Sequence, residues 1–341
     1  MRINSRSFPM QKSRPRPRTR GVVGRWLAPF CWLTLASCAA QPPIEDPVEQ
    51  LPAGAEAMSL LGKPLFATDL PDSLREKREA ELEQAREKHE ADPTNLDDLI
   101  WYGRRLAYLG RYRDAIAIYT GGLVQQPQEP RLYRHRGHRY ITLRRLDDAI
   151  WDLERAARLI EGTPDRVEQD GLPNARNQPT STLHSNIWYH LGLALYLKGE
   201  NERALEAYRQ CAAVSKNPDM ICATLHWLYM TLRRLGRNRQ AKEVIRPVRA
   251  DMDIIENHAY HRLLLLYKGE IKPRELREEL RSDEGSIESA SLAYGLANWY
   301  REEGRAEEGR ELLEEIVRAG QWPAFGHAAA EADLARMPPE R

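Results

Sequence analysis

The sequence of 341 residues predicts an all-α fold in which about six antiparallel helix hairpins stack on one another. The first observation is a series of turn residues, all but one glycine, that recur along the chain: Gly110, Arg144, Gly199, Gly236, Gly269 and Gly304. The second is that small residues recur between those turns, where two helices would approach closely. The third is the absence of the alternating helices and strands that a nucleotide-binding fold requires.

Each repeating unit carries a pattern of large and small residues. In the first unit Leu99 is followed by Gly103, Gly110, Ala115 and Tyr119. This pattern resembles the tetratricopeptide repeat (TPR), in which small residues let two helices pack closely and a large one fills the gap to the next hairpin. Because one hairpin cannot bury its apolar face alone, neighbouring hairpins must stack. The resemblance implies a right-handed superhelix with capping helices at both ends.

The spacing of the turn residues defines the boundaries of the units. Successive spacings are 34, 55, 37, 33 and 35 residues, so one unit exceeds 34 by 21 residues. This insertion either folds over the groove as a lid or separates two sub-arrays. Arg144 in place of glycine predicts a turn of another shape. The predicted parts are a capping helix at 72–93, repeats one and two at 94–160, an inserted loop at 161–183, TPR-like repeats three to six at 184–318 and a capping helix at 319–341.

The first 71 residues are predicted to contain a targeting signal followed by a flexible tether. A basic start, a short apolar run at 26–35 and small residues before Cys38 are the parts of a secretory signal peptide at 1–37. Residues 35–38 resemble the lipobox of bacterial lipoproteins, which implies acylation of Cys38, and Ala39 favours the outer membrane, facing the periplasm. An ordinary secreted protein is the alternative. Prolines and glycines predict a flexible tether at 38–71.

Composition and motifs exclude several classes of function. The first 37 residues hold eight of the 51 basic residues and no acidic one, which leaves 43 basic and 50 acidic residues, a net charge of −7, for the rest. A nucleic-acid-binding protein is therefore not expected. The sequence contains no Gly-x-Ser-x-Gly, His-Glu-x-x-His or Gly-x-x-x-x-Gly-Lys motif, so no enzyme activity and no cofactor are predicted.

The TPR resemblance also implies a binding surface, since the first helix of each hairpin lines the concave groove in that family. Carried onto this sequence, the family pattern selects aromatic, basic and amide residues: Trp101, Arg104, Tyr108, Arg131, Arg134, His135, His138, Asn186, Tyr189, His190, Tyr196, His226, Trp227 and Arg233. This basic surface in an acidic chain favours a partner that carries carboxylates. The prediction is a scaffold that binds a protein or an extended peptide, with its oligomeric state open. Alternatively, these residues pair with acidic neighbours.

A different interpretation of the groove is a sensor for a small ligand or a metal ion, partly enclosed by the insertion. His135 and His138 lie three residues apart on one helix face and could chelate a metal. Neighbouring arginines disfavour a cation, so no metal site is predicted. Convergence of His135, His138 and His190 around a closed cavity would favour the sensor, whereas an open channel across repeats one to four would favour a peptide.

Two cysteines follow the predicted lipidation site. Cys211 and Cys222 flank a predicted turn at Asn217-Pro218 and would face each other across two helices. In the periplasm a disulfide between them is one possibility. Two buried thiols are the other.

Overall fold

The computed structural model describes residues 51–282 and 287–338, and this part of the chain is a helical-repeat solenoid, which confirms the predicted fold class. The predicted signal peptide and Cys38 lie outside the described residues. No described helix combines the length and the apolar composition needed to span a membrane. The elements are β1 (Ala55–Met58), β2 (Pro64–Phe66), α1 (Asp72–Ala91), α2 (Leu96–Tyr108), α3 (Tyr112–Gln125), α4 (Pro130–Thr142), α5 (Leu146–Leu159), α6 (Leu183–Lys198), α7 (Asn201–Val214), α8 (Pro218–Arg234), α9 (Asn238–Val244), α10 (His258–Lys268), α11 (Pro273–Ser282), α12 (Ile287–Glu302), α13 (Ala306–Ala319) and α14 (Phe325–Arg336).

Helices α2 to α13 form six consecutive hairpins, each made of an even-numbered first helix and an odd-numbered second helix. Small residues lie where the two helices of a hairpin cross. A Cβ on Gly103 would overlap the ring of Tyr119, and a Cβ on Gly192 would overlap Tyr208. Both tyrosines are fully buried. The alternation of small and large residues therefore has the packing role that the repeat pattern predicts.

The first helices form a continuous inner layer that curls back on itself. Contacts run from α2 to α4, α6, α8, α10 and α12 in order, and α14 extends the row against α12. Helix α14 also contacts α6, so the last helix meets the third hairpin. The closing helix thus does more than cover the last repeat.

The turn at Arg144 has the same left-handed backbone conformation as the glycine turns, so the prediction of a different turn shape is wrong. Its φ of 64° lies in the left-handed region, as does the φ of 77° at Gly110. A non-glycine residue there costs about 1 kcal/mol of backbone free energy. The buried guanidinium donates hydrogen bonds to Glu331 and to the carbonyl oxygens of Thr142 and Trp322, which offset that strain.

The structure also corrects the predicted tether. Residues 38–50 lie outside the described part, but β1 and β2 form an antiparallel hairpin that buries Ala57 and Leu65. The amide of Leu60 donates to Glu331 at 3.1 Å, and the indole Nε1 of Trp322 donates to the carbonyl of Phe66 at 2.7 Å. This segment is ordered because its apolar residues and backbone groups find partners in the closing segment.

Candidate functional site

The curled inner layer borders an open pocket of about 430 Å³, called here the inner cavity. Its walls come from the first helices of repeats two to six, from the inserted loop and from the start of α14. The lining residues are Arg134, His138, Thr180, Ser181, Asn186, Tyr189, His190, Met220, Ala223, Glu256, Asn257, Tyr260, Ser291, Pro323, Ala324 and Phe325. Five of the predicted groove residues therefore meet here: Arg134, His138, Asn186, Tyr189 and His190.

Aromatic rings form one wall of the inner cavity. The rings of His138 and His190 lie 4.3 Å apart, and the ring of Phe325 lies 5.4 Å from His138 and 5.7 Å from His190. A chain of hydrogen bonds runs from the indole of Trp227 to the hydroxyl of Tyr189 and on to the hydroxyl of Tyr260. Since the Tyr260 oxygen accepts in this chain, its own proton is available to a ligand.

Hydrogen bonds fix the tautomers of the two cavity histidines. Arg139 donates to Nδ1 of His138 at 2.6 Å, so the proton of His138 is on Nε2. Nδ1 of His190 donates to the carbonyl of Asn186 at 2.6 Å, so Nε2 of His190 is an acceptor. Burial lowers the pKa of both rings well below 6.5, and Arg139 and Arg134 lower the two pKa values further. Both histidines are therefore neutral, one as a donor and one as an acceptor.

The inserted loop folds over the inner layer as a lid. Glu168 forms an ion pair with Arg134 at 2.8 Å and accepts a hydrogen bond from Asn186. Farther along the loop, Asn174 and Thr180 donate to Glu256. The lid, one of the two roles considered for the insertion, thus connects repeat two to the start of repeat five.

The two ends of the inner cavity differ in charge. At one end, Arg139 has no carboxylate partner among the described residues and contacts His138. At the loop end, Glu256 accepts hydrogen bonds from neutral groups only, and no described cation pairs with it. Partial burial and the nearby charge of Glu256 raise the pKa of Asp170 to about 6, despite the opposing effect of Arg104. The first end holds Arg134, Arg139 and the carboxylate of Glu168, whereas Glu256 at the other end has no cationic partner among the described residues.

Several predicted groove residues lie outside the inner cavity. Trp101, Arg104 and Tyr108 lie on α2, and Arg104 donates to the carbonyl of Gln169 in the lid at 2.8 Å. Arg131 pairs with Glu129 at 3.0 Å, and Arg233 pairs with Glu303 at 3.2 Å. His135, the residue after Arg134 in the sequence, stacks on Tyr119 with ring centroids 5.7 Å apart. The alternative of pairing with acidic neighbours applies to Arg131 and Arg233, and also to Arg134, which pairs with Glu168.

Three predicted groove residues are corrected to core positions. Tyr196, His226 and Trp227 are at most 1% exposed. Tyr196 contacts the hydroxyl of Tyr294, and His226 packs between aromatic rings of α10. The physical reason is the curl of the inner layer, which packs α10 and α12 over the faces of α6 and α8 that an open superhelix would expose.

The possible disulfide is also corrected, since Cys211 and Cys222 are free and fully buried. The thiol of Cys211 contacts the hydroxyl of Thr224 at 3.1 Å and donates to the carbonyl of Ser185 at 3.4 Å. Burial raises the pKa of Cys211 to about 11 and that of Cys222 to about 12. Both cysteines are inert residues of the core.

The donor set of the inner cavity offers no metal centre. No group of three or more histidine, cysteine, aspartate or glutamate residues in the described ranges could hold a metal ion. His138 and His190 converge, but Arg139 holds Nδ1 of His138, and Arg134 lies on the same wall. The chemistry available is hydrogen bonding, charge and aromatic contact.

Sequence reasoning missed most of the lining of the inner cavity, including Glu256, Tyr260 and Phe325. Glu256 and Tyr260 lie at the start of repeat five, and Phe325 lies in the predicted capping helix at 319–341. The acidic residues of the insertion were the available signal, because an acidic lid suits a basic groove.

Comparison with known proteins identifies the repeats. Residues 103–166 and 185–218 match the tetratricopeptide repeat family. Comparison with curated protein sequences gives no significant match. The fold is similar to the crystal structure of MamA, at 19% identity and a TM-score of 0.39, over 60% of this chain and 98% of that one. It is also similar to YrrB, a TPR protein with an unusual peptide-binding site, at 15% identity and a TM-score of 0.38, over 70% of this chain and 93% of that one.

Proposed function

This chain contains tetratricopeptide repeats, and we propose that it is a binding scaffold of the cell envelope, anchored by lipid at Cys38. The partner we propose is a protein or peptide of the periplasm that contacts the inner layer. Its role is binding and positioning, without a catalytic step. Acylation at Cys38 and location at the outer membrane are part of the proposal and stem from the lipobox-like residues 35–38.

The observation that carries the binding role is the convergence of first helices from repeats two to six on one cavity. Beside it, α2 presents the half-buried side chains of Trp101, Arg104 and Tyr108. The guanidinium of Arg104 lies 4.4 Å from the centre of the Trp101 ring, which makes a flat, cationic contact surface. Such a surface suits a partner with carboxylate or aromatic side chains.

Anchoring is tested by Cys38→Ser and fractionation of intact cells. We expect the wild-type chain in the membrane fraction and the variant in the soluble periplasmic fraction, because acyl chains supply the membrane affinity. Cys211→Ser is the matched control and leaves the lipidation site intact. Membrane association of the Cys38→Ser variant would contradict the anchor.

The binding surface is tested by a photo-crosslinking amino acid placed at Trp101 in intact cells. The matched control is Trp151, also half-buried but on the second helix α5. We expect a defined protein adduct from position 101 and none from position 151. Adducts from position 151 alone, or equally from both positions, would move the interface away from the inner layer.

A second candidate function is the small-ligand sensor, and one observation favours it. The lid contacts α2, α4 and the segment before α10, so a peptide that ran along the inner layer from repeat one would meet it. A compact ligand would fit the inner cavity, since small-molecule sites span about 300–1,000 Å³.

A further inference from the structure

We propose that the inner cavity binds a compact zwitterion, a free amino acid or dipeptide, with its carboxylate towards Arg134 and His138 and its ammonium towards Glu256. The inference rests on the second candidate function and names the chemical class of its ligand. Three properties of the inner cavity carry it: two donors with unused hydrogen-bonding capacity at one end, a carboxylate without a cationic partner at the other and aromatic walls between them.

The donor end offers hydrogen bonds that the protein itself leaves unused. The guanidinium of Arg134 pairs through Nη2 with Glu168 of the lid at 2.8 Å, but its buried Nε has no hydrogen-bond partner within the described chain. A buried donor without a partner is unfavourable, and an incoming acceptor relieves that cost. Nε2–H of His138 is a second donor, since Arg139 occupies Nδ1. Two donors on one wall suit the two oxygens of a carboxylate.

The carboxylate end has the opposite requirement. Glu256 is half-buried, and its hydrogen bonds come from the amide of Asn174 and the hydroxyl of Thr180. Both donors are neutral, so the negative charge is solvated but not compensated. Asp170 adds a second carboxylate close by. A ligand ammonium at this end supplies the missing cation.

The walls between the two ends select an apolar or aromatic body. Tyr189, Tyr260 and Phe325 present ring surfaces to the inner cavity, and Met220 and Ala223 add apolar contact. The volume of about 430 Å³ lies near the lower end of small-molecule sites. A long polypeptide cannot place both of its termini in one such space, whereas an amino acid or dipeptide carries both charges within a few bonds.

The test is isothermal titration calorimetry of the purified full chain in detergent with the dipeptide Ala-Phe and three blocked forms. The blocked forms are N-acetyl-Ala-Phe, Ala-Phe amide and the doubly blocked peptide. We expect Ala-Phe to bind, each single block to weaken binding at least tenfold and the doubly blocked form to show no heat of binding. Equal binding of free and blocked forms would overturn the zwitterion, and so would failure of Ala-Phe, Ala-Leu, Ala-Asp and Ala-Lys all to bind.

A variant then assigns the ammonium end. Glu256→Gln keeps an acceptor for Asn174 and Thr180 but removes the charge, so Ala-Phe and N-acetyl-Ala-Phe should bind it equally. Glu307→Gln, exposed on α13, is the control and should keep the discrimination of the wild type. Thermal unfolding confirms that both variants are folded. Unchanged discrimination in Glu256→Gln would overturn the assignment.

These results are separable from the scaffold proposal. If no dipeptide binds while position 101 still crosslinks to a protein, the zwitterion fails and the scaffold stands. If blocked peptides bind as well as free ones, the inner cavity is a ligand site but the inferred class is wrong.

Discussion

Arg144 and Glu331, separated by 187 positions in the sequence, form a buried ion pair with two hydrogen bonds of 2.8 and 2.9 Å. Their side chains are 3% and 1% exposed. His327 adds a third contact to Glu331 at 3.0 Å. The pair joins the turn of the second hairpin to the closing helix, so two distant parts of the array are stabilised by one interaction.

We expect Glu331→Gln to destabilise the chain by about 3–5 kcal/mol, because it leaves the Arg144 guanidinium buried without a counter-charge. The measurement is the free energy of unfolding in urea. Glu308→Gln, which breaks the exposed pair of Arg305 and Glu308, is the control and should change stability far less. Equal changes in the free energy of unfolding would mean that the buried pair contributes no more stability than the exposed pair.

The same carboxylate predicts acid sensitivity. Burial would raise the pKa of Glu331, but hydrogen bonds from His327 and Arg144 outweigh burial and lower the pKa from 4.5 to about 2. A pKa lower in the folded state gives stability that is present above pH 4.5 and lost as the pH falls towards 2. The loss between pH 5 and pH 3 should be about 2 kcal/mol. Unfolding titrations of Glu331→Gln should lack this part of the pH dependence, and an identical slope would contradict the assignment.

The lid should close more tightly in mild acid. Partial burial and the charges of Glu256 and Glu168 raise the pKa of Asp170 to about 6, while Arg104 opposes them. A raised carboxyl pKa favours the closed form below about pH 6 and weakens it as the pH rises through that value. Hydrogen exchange in residues 165–180 should therefore be several-fold slower at pH 5 than at pH 7.5, after correction for intrinsic rates. Asp170→Asn should exchange slowly at both values; a retained pH dependence would point to another group.

Two glycines provide a matched test of the hairpin packing. A Cβ on Gly103 would overlap the ring of Tyr119, whereas a Cβ on Gly121 would have no heavy atom within 4 Å. We expect Gly103→Ala to destabilise by about 1–3 kcal/mol through overpacking. Gly121→Ala should stabilise by about 0.4–1 kcal/mol through a better helix propensity. Thermal unfolding of both variants measures the two changes in stability, and the prediction requires them to have opposite signs.

Much of the fold could be predicted because the contacts within each hairpin join residues that are close in sequence. The spacing of turn residues and of pairs such as Gly103 with Tyr119 defines each hairpin within one unit, and six such units follow one another. The return of α14 could not be predicted this way, because its partners, such as Arg144 for Glu331, lie far away in sequence. The β-hairpin was missed for the same reason, since its backbone groups are satisfied by residues near the other end of the chain.

The residues of the candidate site likewise divide into those that local sequence patterns could predict and those that only long-range contacts bring to the site. Arg134, His138 and His190 could be assigned to one surface because each occupies the inner face of a first helix. Trp227 follows the same periodicity yet is buried, since periodicity reports the face of a helix but not what covers that face. Glu256 follows no repeat pattern, so only the three-dimensional path of the lid brings it to the inner cavity.

The contacts of the closing helix α14 with distant parts of the array affect how the protein responds to trimming by exopeptidases. A plain row of repeats frays from its ends, one unit at a time. Here an exopeptidase that trimmed the chain past Glu331 would remove support from the second hairpin and from the β-hairpin together. Removal of the chain from Glu331 onward is therefore coupled to the integrity of the opposite end of the array.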